Sequence, residues 1–130
     1  MKFMLIANAT KDSEAGAPPD PRLMNAIGKL SEEATRAGVL IGTGGLAPSS
    51  MGAKVRLSGG KVTITDGPFA ETREIVGGFA IIDVGSMEEA IAFSKRFWQV
   101  HADVLGPSYE GGGEIRQLFH HSGCGPALGS

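Results

Sequence analysis

The sequence predicts an α+β protein built on one four-stranded sheet, and three observations support this prediction. Short apolar runs typical of strands alternate with two helical segments, in the order strand, helix, strand, hairpin, strand, helix, strand. Without the hairpin, this order consists of two βαβ units, which is the ferredoxin-like split βαβ pattern. Both helices then cover one face of the sheet, and the uncovered face favours dimerisation into an α+β barrel. We therefore expect a homodimer.

The composition is that of one compact domain. The chain has 130 residues, of which 42% are apolar and 20% are charged, and this suits a single domain with a core. A net charge of -2 gives no reason to expect nucleic acid as a partner, because phosphate binding needs a clustered basic face. The first apolar run is too short to span a membrane. The single cysteine, Cys124, suits a reducing compartment, so we expect a cytoplasmic protein without membrane contact.

The first strand and the first helix follow from simple patterns. Residues 3–7 are a continuous apolar run, which predicts a central strand buried on both faces. Residues 8–19 are small and polar and contain proline, so they predict a loop. Asp20 is then expected to cap a helix that has Pro21 at its first position and ends at Gly38.

The middle of the chain predicts a strand and a hairpin. A second strand begins at residues 39–41 and is expected to lose regularity at residues 42–45, which are rich in glycine. Residues 54–57 and 62–65 alternate between apolar and polar side chains, which predicts the two strands of a hairpin. The glycines at 59–60 suit a two-residue reversal, because both positions accept a positive φ.

The last strands and the second long helix follow. Residues 75–84 predict a long strand, and the paired glycines at 77–78 indicate a bulge or a close backbone neighbour. Ser86, with Glu89 three residues later, forms a capping box that begins the helix. Residues 114–119 predict the final strand.

These elements define the expected domain boundaries. We expect one domain over residues 1–119 and a flexible, glycine-rich tail over residues 120–130.

The segment TDGPFAETRE at residues 65–74 carries more side chains than a chain reversal needs. Asp66 and Gly67 favour a turn, and Pro68 fixes the backbone φ there. In a second interpretation, Asp66 points into a cavity beside the sheet and acts as a general base, which requires burial to raise its pKa above about 3.9. The sequence leaves both interpretations open.

Three further residues of this segment are candidate ligand contacts. Phe69 is expected to plug either the core or the seam between subunits, or else to line the cavity. Glu71 and Arg73 are expected at the rim of the same cavity.

The segment also resembles the signature DGPFAETKE of the DGPF group within the YCII-related proteins, with Arg73 in place of lysine. The resemblance covers almost the whole chain, in the family's order, through the segments MKFMLIA, AGVLIGTGGLAP, GGFAIIDVGSMEEAIAF and GEIRQL. It implies a dimeric ferredoxin-like α+β barrel, but it implies little about activity.

The resemblance implies two alternative functions. Some YCII-related proteins look like small enzymes with a histidine on the first helix and an aspartate near the end of the second. Here the first helix, residues 21–37, has no histidine, and the second ends in KRFWQ without an aspartate. That pair of residues therefore cannot be carried over to this chain. Other relatives look like companions of extracytoplasmic-function sigma factors, which implies a regulatory alternative.

Three more side chains are candidates for a site. Arg56 lies on an alternating strand, so it faces either solvent or a cavity, where its guanidinium would suit a carboxylate ligand. Arg116, on a strand expected at the centre of the sheet or at the subunit seam, has the same two interpretations. His101 follows an aromatic helix end and is either a helix-end residue or a catalytic group that titrates near neutral pH.

The sequence favours neither a metal nor a cofactor. His120 and His121 lie close to Cys124, but adjacent residues on a strand point to opposite faces, so we expect no metal site. The glycine-rich residues 42–46 lack the spacing of a phosphate-binding loop, and we expect no cofactor.

Two functional hypotheses remain. In the first, the protein is a lyase- or isomerase-like enzyme in which Asp66 moves a proton and Arg56, Arg116 or His101 holds an anionic substrate. In the second, it is a non-catalytic dimer that binds a small ligand or a protein partner, in a regulatory role.

Overall fold

The protein, as a computed structural model, is described over residues 1–70 and 74–119. Six strands, three α-helices and one 3₁₀ turn make up this part of the chain. They are β1 Lys2–Asn8, α1 Lys11–Glu14, α2 Pro21–Arg36, β2 Leu40–Gly45, the 3₁₀ turn Ser49–Met51, β3 Ala53–Ser58, β4 Lys61–Asp66, β5 Val76–Asp83, α3 Met87–Leu105 and β6 Gly113–Gln117.

Four strands form one antiparallel sheet in the order β2-β5-β1-β6. The remaining two, β3 and β4, form a separate two-stranded sheet. The α+β class and the order of elements are therefore confirmed, and β1 is central as predicted. Of the two positions predicted for the last strand, the centre of the sheet is wrong, because β6 pairs with β1 alone and lies at the edge of the sheet. The other, at the subunit seam, stays a prediction.

The core lies between the sheet and the two long helices. Phe3 and Ile82 are paired across β1 and β5 and are completely buried, and they pack with Leu5 and with Ala90 of α3. Helix α2 packs mainly on α3 and also contacts β2. Both long helices therefore cover the same face of the sheet, as the sequence predicted.

The helix ends follow the predicted capping. The Asp20 carboxylate accepts a hydrogen bond from the Arg22 backbone nitrogen at 2.8 Å, and Pro21 occupies the first helical position. Hydrogen bonds from the Arg22 side chain and backbone hold the pKa of Asp20 below its ordinary value. At α3, the Ser86 hydroxyl accepts from the Glu89 nitrogen at 3.2 Å. The reciprocal bond of the predicted capping box is displaced by one residue, because the Glu89 carboxylate accepts from the Gly85 nitrogen at 2.8 Å. Among the described residues, no helix is long and apolar enough to cross a bilayer.

Three local features differ from the sequence prediction. Helix α3 does not end at Gln99 but continues to Leu105, so His101 and Asp103 lie in its last turns, and the expectation of no aspartate near its end is wrong. The segment predicted as a loop contains the short helix α1, which Thr10 caps by accepting a hydrogen bond from the Ser13 nitrogen at 3.1 Å.

Strand β2 is irregular only at its start, where its register with β5 shifts between Leu40 and Gly42; it then pairs regularly through the glycines to Gly45, where irregularity was also predicted. A side chain at Gly44 would begin 2.9 Å from the Phe79 ring, so the absence of a Cβ allows that ring to lie across β2.

The paired glycines of β5 behave as predicted. The register between β1 and β5 shifts after Ala7, opposite Gly77. A Cβ on Gly77 would lie 2.9 Å from the Ala9 Cα atom, so the backbones approach closely there.

The hairpin is also confirmed. Strands β3 and β4 pair in regular register from Ala53 opposite Asp66 to Ser58 opposite Lys61. Gly59 and Gly60 join them with φ angles of +57° and +76°, which side chains rarely adopt.

Candidate functional site

The loop that begins at Asp66 is held by backbone contacts around Gly67. Its nitrogen donates a hydrogen bond to the Gly52 carbonyl oxygen at 3.0 Å. A Cβ at position 67 would lie 1.6 Å from the Ser49 carbonyl oxygen, which leaves room for no residue but glycine in this arrangement. The Gly67–Pro68 peptide bond is cis. The turn interpretation of this segment therefore has a structural basis.

A buried serine connects this loop to the short helix α1. The side chain of Ser49 is 5% exposed, and its backbone nitrogen donates to Glu14 Oε1 at 2.8 Å. The Ser49 hydroxyl donates to the other Glu14 oxygen and accepts a hydrogen bond from the Phe69 nitrogen at 2.9 Å. The sequence did not predict this network, because Glu14 and Phe69 lie 35 and 20 positions from Ser49 and no local pattern links them.

Phe69 packs at the base of the hairpin. Its ring is half-buried, and the Lys54 ammonium lies 4.6 Å from the ring centroid. This distance is typical of a cation–π contact. The contact joins the loop to β3, and a role for Phe69 in ligand binding stays a prediction.

Asp66 and Arg56 lie on opposite faces of the hairpin. Asp66 is exposed at the end of β4 and pairs with Ala53, whereas Arg56 pairs with Thr63. Because side chains alternate along a strand, Asp66 shares a face with Ile64, and Arg56 points to the other side. Within one protomer the structure does not bring these two candidates together. Glu71 and Arg73 lie outside the described residues.

His101 is surrounded by aromatic rings near the end of α3. It is 7% exposed, and its Nδ1 lies 2.9 Å from the Phe97 carbonyl oxygen. A carbonyl oxygen only accepts, so Nδ1 carries the proton in that contact. Its ring lies 4.6 to 5.6 Å, between centroids, from those of Phe97, Trp98 and Tyr109. Burial raises the pKa of the Tyr109 hydroxyl. This setting is that of a packed helix-end residue, and a catalytic role stays a prediction.

The face of the sheet opposite the helices has an apolar centre, and we call it the open face. It comprises Met4 and Ile6 of β1 with Ile81 and Phe79, their partners on β5. Ile81 is buried and the other three are half-buried. The alternation of side chains places them opposite Phe3 and Ile82, which pack under the helices.

Arg116 lies at the edge of the open face. It pairs with Met4 across β1 and β6, and its guanidinium lies 4.0 Å from the Glu114 carboxylate. Both side chains are exposed. Since β2 and β6 are the two edges of the sheet, Arg116 is at the opposite edge from the strand that leads into the hairpin.

The helix side of the molecule carries a shallow groove of about 410 Å³ between α3 and β6. The residues that line it are Ile91, Ser94, Lys95, Trp98, Gln99 and Ile115. None of the candidate site residues is among them, so this groove does not assemble the site that the sequence suggested.

The described residues hold no group of three or more His, Cys, Asp or Glu side chains placed to bind a metal ion. The tail residues His120, His121 and Cys124 lie outside the described part of the chain, so the expectation about them stays untested.

Comparisons with known proteins agree with the resemblance carried by the DGPF segment. The family model of the YCII-related domain matches residues 1–105. An uncharacterized protein of Rhizobium meliloti (strain 1021) is 37% identical over 76 residues. That alignment covers 58% of this chain and 61% of the relative.

Proposed function

Since the chain belongs to the YCII-related family, we propose that it acts as a homodimer that binds a small anionic ligand between two open faces, without catalysis. The observation that carries this proposal is the apolar centre of a sheet face that no helix of the described residues covers.

The first support is the physical cost of leaving that face in water. A sheet is stable when each apolar face is buried against another layer. Two sheets packed face to face lie about 10 Å apart, which is enough for side chains to interdigitate in the centre. A second copy supplies an identical face, and the two together form the α+β barrel that the resemblance implies.

The second support is the position of Arg116. A two-fold arrangement of open faces brings an arginine from each copy to the rim of the shared space. A guanidinium binds carboxylates through two parallel hydrogen bonds, so this rim suits a small carboxylate. The Arg116 guanidinium lies 4.0 Å from the Glu114 carboxylate, which is longer than a charge-assisted hydrogen bond. Its N–H groups are therefore free to bind a ligand.

Binding without catalysis is favoured by the separation of the titratable candidates. Asp66 and Arg56 point away from each other, and His101 lies in the aromatic cluster on the helix side. Proton transfer needs the base within hydrogen-bond reach of the substrate proton, and these three groups do not share a surface of one protomer.

A proton-transferring lyase or isomerase is the second candidate. It is favoured by the exposed carboxylate of Asp66, which lies at the end of β4 beside the loop that carries the family signature. In this case the site would form from parts of two copies.

The first expected result is dimerisation. Light scattering at micromolar concentration should give twice the mass of one 13.4 kDa chain. Ile6→Glu should give a monomer, because the carboxylate would be buried without a partner at the centre of the interface. A matched change outside the open face, Glu88→Gln, should leave the mass unchanged. A wild-type monomer would contradict the proposed function.

The second expected result concerns the ligand. Small carboxylates and phenols are screened by thermal shift, and a carboxylate at about 100 times its dissociation constant should add about 2.7 kcal/mol of stability. Arg116→Gln should abolish that rise in Tm, whereas Asp66→Asn should keep it. Both side chains are exposed, so neither substitution should change the ligand-free Tm by much.

The two variants also separate the candidate functions. Loss of the ligand response in Asp66→Asn alone would favour the proton-transfer candidate. An unchanged response in Arg116→Gln would contradict the assignment of the anion to that arginine.

A further inference from the structure

The hairpin β3–β4 presents four large apolar side chains to solvent on one face. Val55, Leu57, Val62 and Ile64 are 69%, 72%, 64% and 69% exposed. Val55 pairs with Ile64 and Leu57 pairs with Val62, so the four form two adjacent cross-strand pairs on one surface. We call this surface the apolar hairpin face.

The hairpin has little support from its own protomer. Its two strands pack mainly against each other, and their link to the body is at the base, where Lys54 contacts Phe69 and the Gly67 nitrogen bonds the Gly52 oxygen. An isolated two-stranded hairpin is marginally stable in water, and its apolar face needs a further layer. Residues 1–70 and 74–119 supply no such layer.

We propose that the apolar hairpin face packs against the body of a second copy of this chain, so that the two hairpins embrace the dimer as reciprocal arms. This proposal rests on the homodimer of the proposed function and adds a second contact surface to it.

Charge selects a second copy as the occupant. Residues 53–66 contain the cations Lys54, Arg56 and Lys61 and the anion Asp66, a net charge of +2. The whole chain has a net charge of -2, so the residues outside 53–66 have a net charge of -4. This difference in net charge favours the approach of another copy at long range. Lys54 and Arg56 lie on the opposite face of the hairpin, so they form no ion pairs within the apolar contact itself.

The size and length of the arm fit the same partner. Four aliphatic side chains, about two-thirds exposed, offer on the order of 300 Å² of apolar surface per arm. A stable interface buries about 800 Å² on each partner, so two arms add a substantial share to what the open faces bury. Six residues of strand extend about 20 Å, which exceeds the roughly 15 Å width of a four-stranded sheet.

A lipid surface fits the hairpin less well. Lys54 and Arg56 lie on the face opposite the apolar side chains, and Asp66 shares the apolar face. Cations on the polar face are compatible with a bilayer surface. The Asp66 carboxylate is not, because it would enter the bilayer boundary with the apolar side chains and face anionic lipid phosphates.

The direct test is an isotope-filtered NOE experiment on a dimer in which one copy is ¹³C-labelled and the other is not. We expect intermolecular NOEs from the methyl groups of Leu57, Val62 and Ile64. Absence of these NOEs in a sample that light scattering shows to be dimeric would overturn the arm contact and leave the dimer intact. A monomeric sample would overturn both proposals.

A pair of matched variants tests the energy of the contact. Leu57→Thr with Val62→Thr places a β-branched strand former at both positions but removes apolar surface, and it should raise the dimer dissociation constant about 100-fold or more. Thr63→Ser with Thr65→Ser, on the opposite hairpin face, should change it less than threefold. Equal dissociation constants for the two double variants would overturn the inference. Binding to a lipid surface is tested by cosedimentation with phosphatidylglycerol vesicles. The inference would also be overturned if the wild type cosediments, the Leu57→Thr, Val62→Thr variant does not, and that variant still forms the dimer.

Discussion

Gly67→Ala is expected to lower the free energy of unfolding by roughly 3 kcal/mol. A Cβ there would lie 1.6 Å from the Ser49 carbonyl oxygen and 2.5 Å from its carbonyl carbon. Both contacts are with backbone, so no flexible side chain can yield. The loop must move away from the 3₁₀ turn, at a packing cost of about 1–3 kcal/mol and about 1 kcal/mol for each hydrogen bond lost.

Two hydrogen bonds depend on that close approach. They join the Gly67 nitrogen to the Gly52 oxygen and the Phe69 nitrogen to the Ser49 hydroxyl. Urea unfolding measures the loss. The matched control is Gly52→Ala, whose Cβ would meet the Ser49 oxygen at 3.5 Å and the Phe69 ring at 3.8 Å, which are ordinary contacts. Equal stability of the two variants would show that the loop does not pack as described.

This result bears on the meaning of the DGPF segment. If Gly67→Ala is destabilising while Asp66→Asn retains the wild-type Tm, then the glycine of the motif serves the packing of the loop. The exposed Asp66 carboxylate is then available for another role, such as the proton transfer of the second candidate function.

Phe3→Ala is expected to cost about 3–5 kcal/mol of unfolding free energy. Phe3 is completely buried on the central strand and packs with Ile82 and Ala90. Removal of its ring therefore leaves a cavity between the sheet and α3. Because native domains are stable by only about 5–15 kcal/mol, this variant should approach complete unfolding at 37 °C.

Urea unfolding with an unchanged m-value measures this loss as a change in midpoint. Ile91→Ala is the control, since Ile91 is 40% exposed on α3 and alanine is a better helix former there. We expect the control to lose less than about 1 kcal/mol. A similar loss in both variants would place the core elsewhere.

Much of the fold was predictable because its causes are local. The apolar run of β1, the Asp20-Pro21 start of α2, the Ser86 cap of α3 and the two glycines of the hairpin each act through neighbours a few positions away. The hairpin register also followed from alternation alone. The family could be identified from the sequence as well, since the DGPF segment is a contiguous signature.

The candidate site was less predictable because its geometry is not local. Alternation on β3 and β4 did indicate that Asp66 and Arg56 point to opposite faces once the register was known. The edge position of Arg116 depends on which strands pair, and the aromatic setting of His101 depends on Tyr109 folding back onto α3.

The sequence by itself determined the order of the strands and of the two long helices, the hairpin turn and the family, because periodicity and capping are properties of short segments. The tertiary structure decided three things. It packed Gly67 against the Ser49 carbonyl, where only glycine fits, and it linked Glu14 to Phe69 through the buried Ser49 hydroxyl. Within residues 1–70 and 74–119, it also left the open face and the apolar hairpin face without a covering layer. Each depends on contacts between residues distant in the chain, and no local pattern encodes those contacts.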